Sequence, residues 1–113
     1  MKVEELYEFL KKAQEPKGYF FNQNRDKTLA ILTELLENKL HYGYMGCPCR
    51  LLSGDPDWDR DIICPCTYRE LDVKEYGSCY CGLYVSESWN AGTIPHNFVP
   101  ERRPADKILG PDN

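Results

Sequence analysis

The sequence predicts a small, mainly α-helical protein in which N-terminal helices precede a loop-rich half that gathers six cysteines. Two observations favour helices first: apolar residues recur at helical spacing over residues 2–13 and again over residues 25–40. A third favours loops afterwards, because glycine, proline, serine and aspartate punctuate residues 43–82. With 113 residues, the chain fits a single domain over 1–113, with a core over 21–94 and an extended tail over 95–113.

The two predicted helices have recognisable ends and apolar stripes. Pro16 and Gly18 end the first helix, whose stripe comprises Val3, Leu6, Phe9, Leu10 and Ala13. Either Asn22 or Asn24 can supply the N-cap of the second helix. Its stripe comprises Leu29, Leu32, Leu36 and Leu40, widened by Ile31 and Leu35. Both stripes are expected to pack into the core.

Shorter elements are predicted in the second half of the chain. Residues 55–60 indicate a turn followed by a helical start, and residues 69–76 indicate a short helix. Residues 82–89 favour a short strand or an extended segment. Residues 94–113 carry four prolines, so this tail is expected to run extended over the surface.

Charge and hydropathy argue against two classes of partner. The net charge is −4 at pH 7 and the pI is about 5.2, which gives no basic field for nucleic acid. No apolar run approaches the ~20 residues needed to cross a membrane. The first residues are acidic and amphipathic, unlike a secretory signal, and the protein is therefore expected to be cytoplasmic. In such a reducing compartment, six cysteines indicate metal binding or redox catalysis rather than structural disulfides.

The cysteines form the strongest pattern in the sequence. All six fall within 35 residues as three C-x-C pairs: Cys47/Cys49, Cys64/Cys66 and Cys79/Cys81. A structural zinc would take four of them, although the C-x-C spacing suits zinc knuckles poorly. A [4Fe–4S] cluster also takes four thiolates, at wider corners, and leaves two thiols for one redox-active disulfide. Counting does not identify those two, since roughly fifteen partitions exist.

At these motifs the sequence resembles the catalytic (beta) chain family of ferredoxin:thioredoxin reductase. Gly46-Cys-Pro-Cys-Arg50, Cys64-Pro-Cys66 and Cys79-Tyr-Cys81 are similar to that family's C-P-C, C-P-C and C-H-C motifs, in the same order. The likeness covers about residues 22–85, including a leucine-rich helix that leads through Asn38-Lys-Leu-His-Tyr-Gly-Tyr44 into the first motif. The resemblance implies a small iron–sulfur protein whose loop-rich half wraps around one [4Fe–4S] cluster.

The resemblance also implies a division of roles among the six thiols. The cluster, and hence its iron, would be bound by Cys47, Cys64, Cys66 and Cys79. Cys49 and Cys81 would form the catalytic disulfide, with Cys49 as the exposed nucleophile and Cys81 as the thiol that interacts with the cluster. The implied enzyme takes single electrons from a ferredoxin-like donor and reduces a thioredoxin- or glutaredoxin-like protein. A second, variable subunit is a further partner that the resemblance suggests.

One position departs from the family pattern. Tyr80 stands where the third motif of the family has histidine, a residue that exchanges protons near neutral pH. Tyrosine, with a reference pKa of about 10, exchanges protons poorly in that range. His41 and His96 are the two histidines of the sequence. Neither lies in a motif, and both are expected to have ordinary surface or core roles.

Charged residues outside the motifs leave several interpretations open. The segment between the first two motifs is expected to be a solvated acidic loop, with Asp55, Asp57, Asp59 and Asp61. Arg102 and Arg103 would pair with carboxylates of an acidic carrier protein or of the chain's own helices. Arg50 would lower the pKa of the adjacent Cys49 thiol or remain solvated.

Two other functions remain as alternatives to a reductase. A non-catalytic electron-transfer protein of the ferredoxin type would need only four of the cysteines. A zinc-binding interaction module would need no iron at all.

Overall fold

The computed structural model describes residues 1–109 and contains the two predicted N-terminal helices. These are α1, Val3–Gln14, and α2, Arg25–Tyr42. Glutamates in the first turn of α1 and lysines in its last turn complement the helix dipole. The side chain of Asn24 caps α2 by accepting a hydrogen bond from an amide of its first turn, and Gly43, at a φ of 89°, ends it. The prediction of both helices is confirmed.

The buried stripe of α2 contains three of the six predicted residues, Ile31, Leu32 and Leu35, but not the rest of the leucine row. The buried side chains of this helix are Thr28, Ile31, Leu32 and Leu35. Leu40, by contrast, is 90% exposed. Positions 28, 31, 32 and 35 follow helical spacing as well as the leucine row does, but on a face rotated by about one residue. The sequence alone does not decide between the two faces, because leucines lie on both.

The core lies between the two helices and a small sheet. Strand β1, Phe20–Phe21, pairs antiparallel with strand β2, Tyr84–Val85. The Phe21 ring stacks on the Tyr84 ring with 5.6 Å between the centroids. The buried core cluster draws residues from α1, α2 and the third cysteine motif: Leu6, Leu10, Ile31, Leu32, Leu35, Cys79, Leu83 and Tyr84. The third motif is therefore part of the core as well as of the site.

Short helices follow in the second half of the chain. Helix α3, Arg69–Tyr76, has the predicted bounds. A 3-10 turn at Arg60–Ile62 follows the predicted turn before it. The prediction of a strand or extended segment over 82–89 is wrong from residue 87 onward, because helix α4, Glu87–Ala91, begins there. The Ser86 hydroxyl accepts a hydrogen bond from the Trp89 amide at 3.1 Å, and this N-cap starts the helix directly after β2.

The C-terminal tail is only partly extended, which corrects the prediction for residues 95–113. Residues 95–104 have no regular structure, and helix α5, Ala105–Leu109, follows them. The Pro104 carbonyl accepts hydrogen bonds from two amides of α5, in keeping with the preference of proline for helix starts. Residues 110–113 lie outside the described part of the chain.

Arg103 fastens the tail to the loop between the first two motifs. Its side chain is 3% exposed, and its Nε lies 2.9 Å from Oδ2 of Asp61. Its Nη2 lies 3.7 Å from Oδ1 of Asp59, whose side chain is completely buried. Asp59 also accepts a hydrogen bond from the Tyr44 hydroxyl at 2.6 Å. The prediction of a solvated acidic loop is therefore wrong for Asp59 and Asp61.

Arg102 fastens the tail to α3. Its Nε lies 2.8 Å from Oδ1 of the fully buried Asp72, and its Nη2 lies 2.5 Å from Oε2 of Glu75. Of the two alternatives for the tail arginines, the structure shows pairing with carboxylates of the chain itself.

Arg103→Met should lower the free energy of unfolding by about 3 kcal/mol, because it removes the cation that faces the buried Asp59 carboxylate and leaves Asp61 with the more distant Lys107, at 3.9 Å. Arg60→Met is the matched control, since the ion pair of Arg60 with Asp57 is formed by side chains 79% and 85% exposed. That control should leave stability almost unchanged. Urea unfolding of both variants measures the difference, and equal losses would contradict the structural role of Arg103.

Candidate redox site

The first two C-P-C motifs lie side by side because the backbones that flank them pair. Gly46 and Ile63 form an isolated antiparallel bridge. The first cysteine of each motif donates its amide hydrogen across this bridge, Cys47 to the Ile62 carbonyl at 2.9 Å and Cys64 to the Met45 carbonyl at 2.8 Å. This pairing brings together two motifs that are far apart in the sequence.

The third motif is held by β2 and by the segment before α2. The Cys79 amide donates to the Tyr84 carbonyl at 2.9 Å, which closes a tight loop over residues 79–84. The side-chain amide of Asn22 donates to the Gly82 carbonyl at 3.1 Å. Gly82 directly follows Cys81, so the buried Asn22 fixes the loop that carries this thiol.

The first and third motifs adopt similar turns. The Cys47 carbonyl accepts a hydrogen bond from the Arg50 amide at 3.2 Å, and the Cys79 carbonyl accepts one from the Gly82 amide at 3.0 Å. In each turn the first cysteine is buried and the second is less so. Cys47 and Cys79 are buried, Cys81 is intermediate and Cys49 is exposed.

Five of the thiols border one small apolar pocket with a cavity volume of about 10 Å³. The four predicted cluster ligands are all among them: Cys47, Cys64, Cys66 and Cys79. Cys81 is the fifth. Within residues 1–109, no three His, Cys, Asp or Glu side chains converge closely enough to hold a single metal ion.

Cys49 faces an open groove of about 360 Å³ on the other side of the third motif. Cys81 also borders this groove and so lies between it and the pocket. The groove is lined by α2, α4 and the tail as well, through residues that include Lys27, Trp89, His96 and Phe98. Phe98 is 83% exposed, which leaves an apolar side chain on the surface beside the predicted nucleophile.

The predicted catalytic thiols are in contact with each other and with their turn neighbours. Hydrogen bonds from Cys47, which have the larger effect, and from Cys81 hold the pKa of Cys49 well below that of an ordinary thiol. Hydrogen bonds with Cys47 and then with Cys49 raise the pKa of Cys81 well above it. The Cys79 and Cys81 sulfurs are 3.7 Å apart, and all six cysteines are free thiols. The pKa of Cys49 is thus lower than that of Cys81.

Arg50 links the second motif, the third motif and the tail. Its side chain is 2% exposed and pairs with Glu101 at 2.9 Å. Its Nη1 lies 3.5 Å from the Cys66 sulfur, and the guanidinium carbon lies 4.5 Å from the centre of the Tyr80 ring. The interpretation of Arg50 as a solvated side chain is therefore wrong. Its position beside Cys49 in sequence gave no hint that its charge would face Cys66.

Two other pocket residues have no motif that marks them in the sequence. Arg69 lies over the Tyr19 ring at 3.7 Å and over the Tyr84 ring at 4.8 Å. The Tyr84 amide lies 3.3 Å from the Cys79 sulfur. The Tyr84 hydroxyl is buried and has no hydrogen-bond partner among the described residues. Both side chains border the thiol-lined pocket.

Comparison with known proteins agrees with the cysteine pattern. The family described as ferredoxin thioredoxin reductase catalytic beta chain matches residues 1–106, a wider range than the motifs alone suggest. No curated protein sequence is significantly similar to the chain. None of the described helices is long and apolar enough to span a membrane. The matched family is one of oxidoreductases, its name points to ferredoxin and thioredoxin as partners, and it implies an iron–sulfur cluster. The chain belongs to the ferredoxin thioredoxin reductase catalytic beta chain family.

Proposed function

We propose that this protein is a disulfide reductase that takes single electrons from a ferredoxin-like donor and reduces the disulfide of a thioredoxin-like protein. One [4Fe–4S] cluster would be bound by Cys47, Cys64, Cys66 and Cys79. Cys49 and Cys81 would be the redox-active pair. The observation that carries the proposal is the position of Cys81, which borders both the thiol-lined pocket and the open groove. Action as one domain in the reducing cytoplasm is part of the same proposal.

The pocket suits an iron–sulfur cluster by the chemistry of its lining. Its thiols are the usual protein ligands of such clusters, and its walls are apolar. The partnerless buried Tyr84 hydroxyl and the Arg50 guanidinium beside Cys66 are hydrogen-bond donors of the kind that stabilise cluster sulfur atoms. When bound, the cluster supplies electrons one at a time to the cysteine pair.

The cysteine pair performs the disulfide exchange. The Cys49 thiolate attacks one sulfur of the partner's disulfide, forms a mixed disulfide and releases the other partner sulfur as a thiolate. Cys81 gives up its proton, and its thiolate attacks the Cys49 sulfur, which releases the second partner thiolate and leaves a Cys49–Cys81 disulfide. Two electrons from the donor and one proton from solvent reduce that disulfide to the Cys49 thiolate and the Cys81 thiol. The proton from Cys81 and a second proton from solvent convert the two partner thiolates to thiols. The net change is one partner disulfide converted to two thiols.

Cys49→Ser should lower turnover of thioredoxin reduction by at least about a thousandfold and leave the iron and acid-labile sulfide content unchanged. The reason is that Cys49 faces the groove and does not border the pocket. An anaerobic assay with reduced ferredoxin, followed by counting of thioredoxin thiols, measures the loss. Cys66→Ser is the matched control, because it should lose iron as well as activity.

Three results would contradict the proposed function. One is a purified wild-type protein that is colourless and holds zinc when prepared without oxygen, which would favour the interaction module. Another is a Cys49→Ser protein with wild-type reductase activity. The third is a protein that carries the cluster but reduces no disulfide, which would favour the electron-transfer alternative.

Arg50 and Glu101 form an electrostatic pair beside the proposed cluster. The positive charge of Arg50 next to Cys66 favours the reduced, more negative state of a group bound there. The Glu101 carboxylate offsets part of this charge through its 2.9 Å ion pair. Substitutions of the two residues should therefore shift the reduction potential in opposite directions.

Glu101→Gln should raise the reduction potential of the cluster and Arg50→Gln should lower it, each by roughly 50 mV, since a charge a few ångströms away in a protein is worth ~1 to 4 kcal/mol. An anaerobic redox titration followed by electron paramagnetic resonance measures both. Glu8→Gln, on the exposed face of α1, is the control. Shifts of the same sign in both test variants would show that Arg50 does not act through its charge.

A further inference from the structure

The groove beside Cys49 contains a histidine from the tail. The titratable side chains that line this groove in the described part of the chain are Lys27, Cys49, Cys79, Tyr80, Cys81 and His96. His41 packs edge-on against Tyr42 at the C-terminal end of α2. His96 therefore brings an imidazole to the surface where the redox-active pair is exposed.

The orientation of His96 is fixed by Trp89. The two rings stack with 3.6 Å between their centroids and 5° between their planes. The His96 Nε2 lies 2.7 Å from the Trp89 carbonyl oxygen, so Nε2 carries a hydrogen and donates it. Nδ1 is then the nitrogen that exchanges a proton. The backbone amide of Trp89 donates to the Ser86 hydroxyl that caps α4, so the Trp89 backbone is part of the helix start.

We propose that His96 is the proton donor for the thiol exchange at Cys49. The inference rests on the proposed function. When the Cys49 thiolate attacks, the partner's S–S bond breaks and its second sulfur leaves as a thiolate. The His96 imidazolium gives its Nδ1 proton to that thiolate, which becomes a thiol, and the neutral ring regains a proton from water in the groove. No electrons change hands in this transfer.

The other groups in the groove are less suited to this step. Lysine and tyrosine have reference pKa values of about 10, so they release protons poorly near neutral pH, whereas histidine titrates in this range. The thiols of Cys49 and Cys81 take part in the exchange itself. The Tyr80 ring is engaged by the Arg50 guanidinium at 4.5 Å. His96 is thus the groove residue that combines the chemistry with an open position.

His96→Gln should reduce an alkyl or thioredoxin disulfide roughly tenfold to a hundredfold more slowly than wild type at pH 7. A nitroaryl disulfide should be reduced equally by both proteins, since its leaving thiolate needs no proton. Stopped-flow measurement of the pre-reduced holoprotein gives all these rates.

His41→Gln is the matched control and should behave as wild type with both disulfides. If His96→Gln slows both disulfides equally, or neither, then His96 is not the proton donor, although the reductase function stands. If the wild-type protein itself reduces neither disulfide, the proposed function fails. Iron and sulfide content measured in each variant separates either result from loss of the cluster.

Discussion

The antiparallel bridge between Gly46 and Ile63 is the contact on which the site depends, because no covalent bond joins the two motifs that it aligns. The loop between the motifs carries four aspartates, so its fold depends on satisfied charges as well as on hydrophobic burial. Its position is set by the buried carboxylate of Asp59, which binds the Tyr44 hydroxyl at 2.6 Å and faces Arg103 at 3.7 Å. A buried carboxylate is stable only when its partners are present. The bridge, the loop and the tail therefore form one interdependent unit.

The tail belongs to the site for the same reason. A chain of this size buries only a modest core, and here that core lies between the helices and the third motif. In the polar middle of the chain, ion pairs with residues of the tail stabilise the structure in place of a hydrophobic core. Glu101 neutralises Arg50 beside the pocket, while His96 and Phe98 line the groove. One short segment thus contributes to the buried side of the site and to its exposed side.

Local patterns in the sequence predicted local structure well. Asn24 and Gly43 mark the ends of α2, and the bounds of α3 follow from its composition. What failed depends on contacts distant in sequence. Leu40 has the right spacing for a core residue but lies beyond the surface that packs against α2. Arg103 carries no motif, because its importance arises only where the tail returns to the loops. Cysteine clustering predicted that the motifs share one site, and the division of roles among the thiols came only from the family resemblance. Neither revealed Arg50 or Tyr84 as neighbours of the thiols.

The different exposure of the thiols follows from where each turn begins. In the first and third motifs the turn starts at the first cysteine, whose carbonyl accepts a hydrogen bond from the residue after the second cysteine. The second cysteine then lies within the turn and reaches the groove, as Cys49 and Cys81 do. In the second motif the turn starts at the second cysteine, because the Cys66 carbonyl accepts a hydrogen bond from the Arg69 amide at 3.2 Å. Both Cys64 and Cys66 therefore border the pocket, and neither lines the groove. Three motifs with the same spacing therefore differ in exposure: Cys47, Cys64 and Cys66 border the pocket, Cys49 borders the groove, and Cys79 and Cys81 border both.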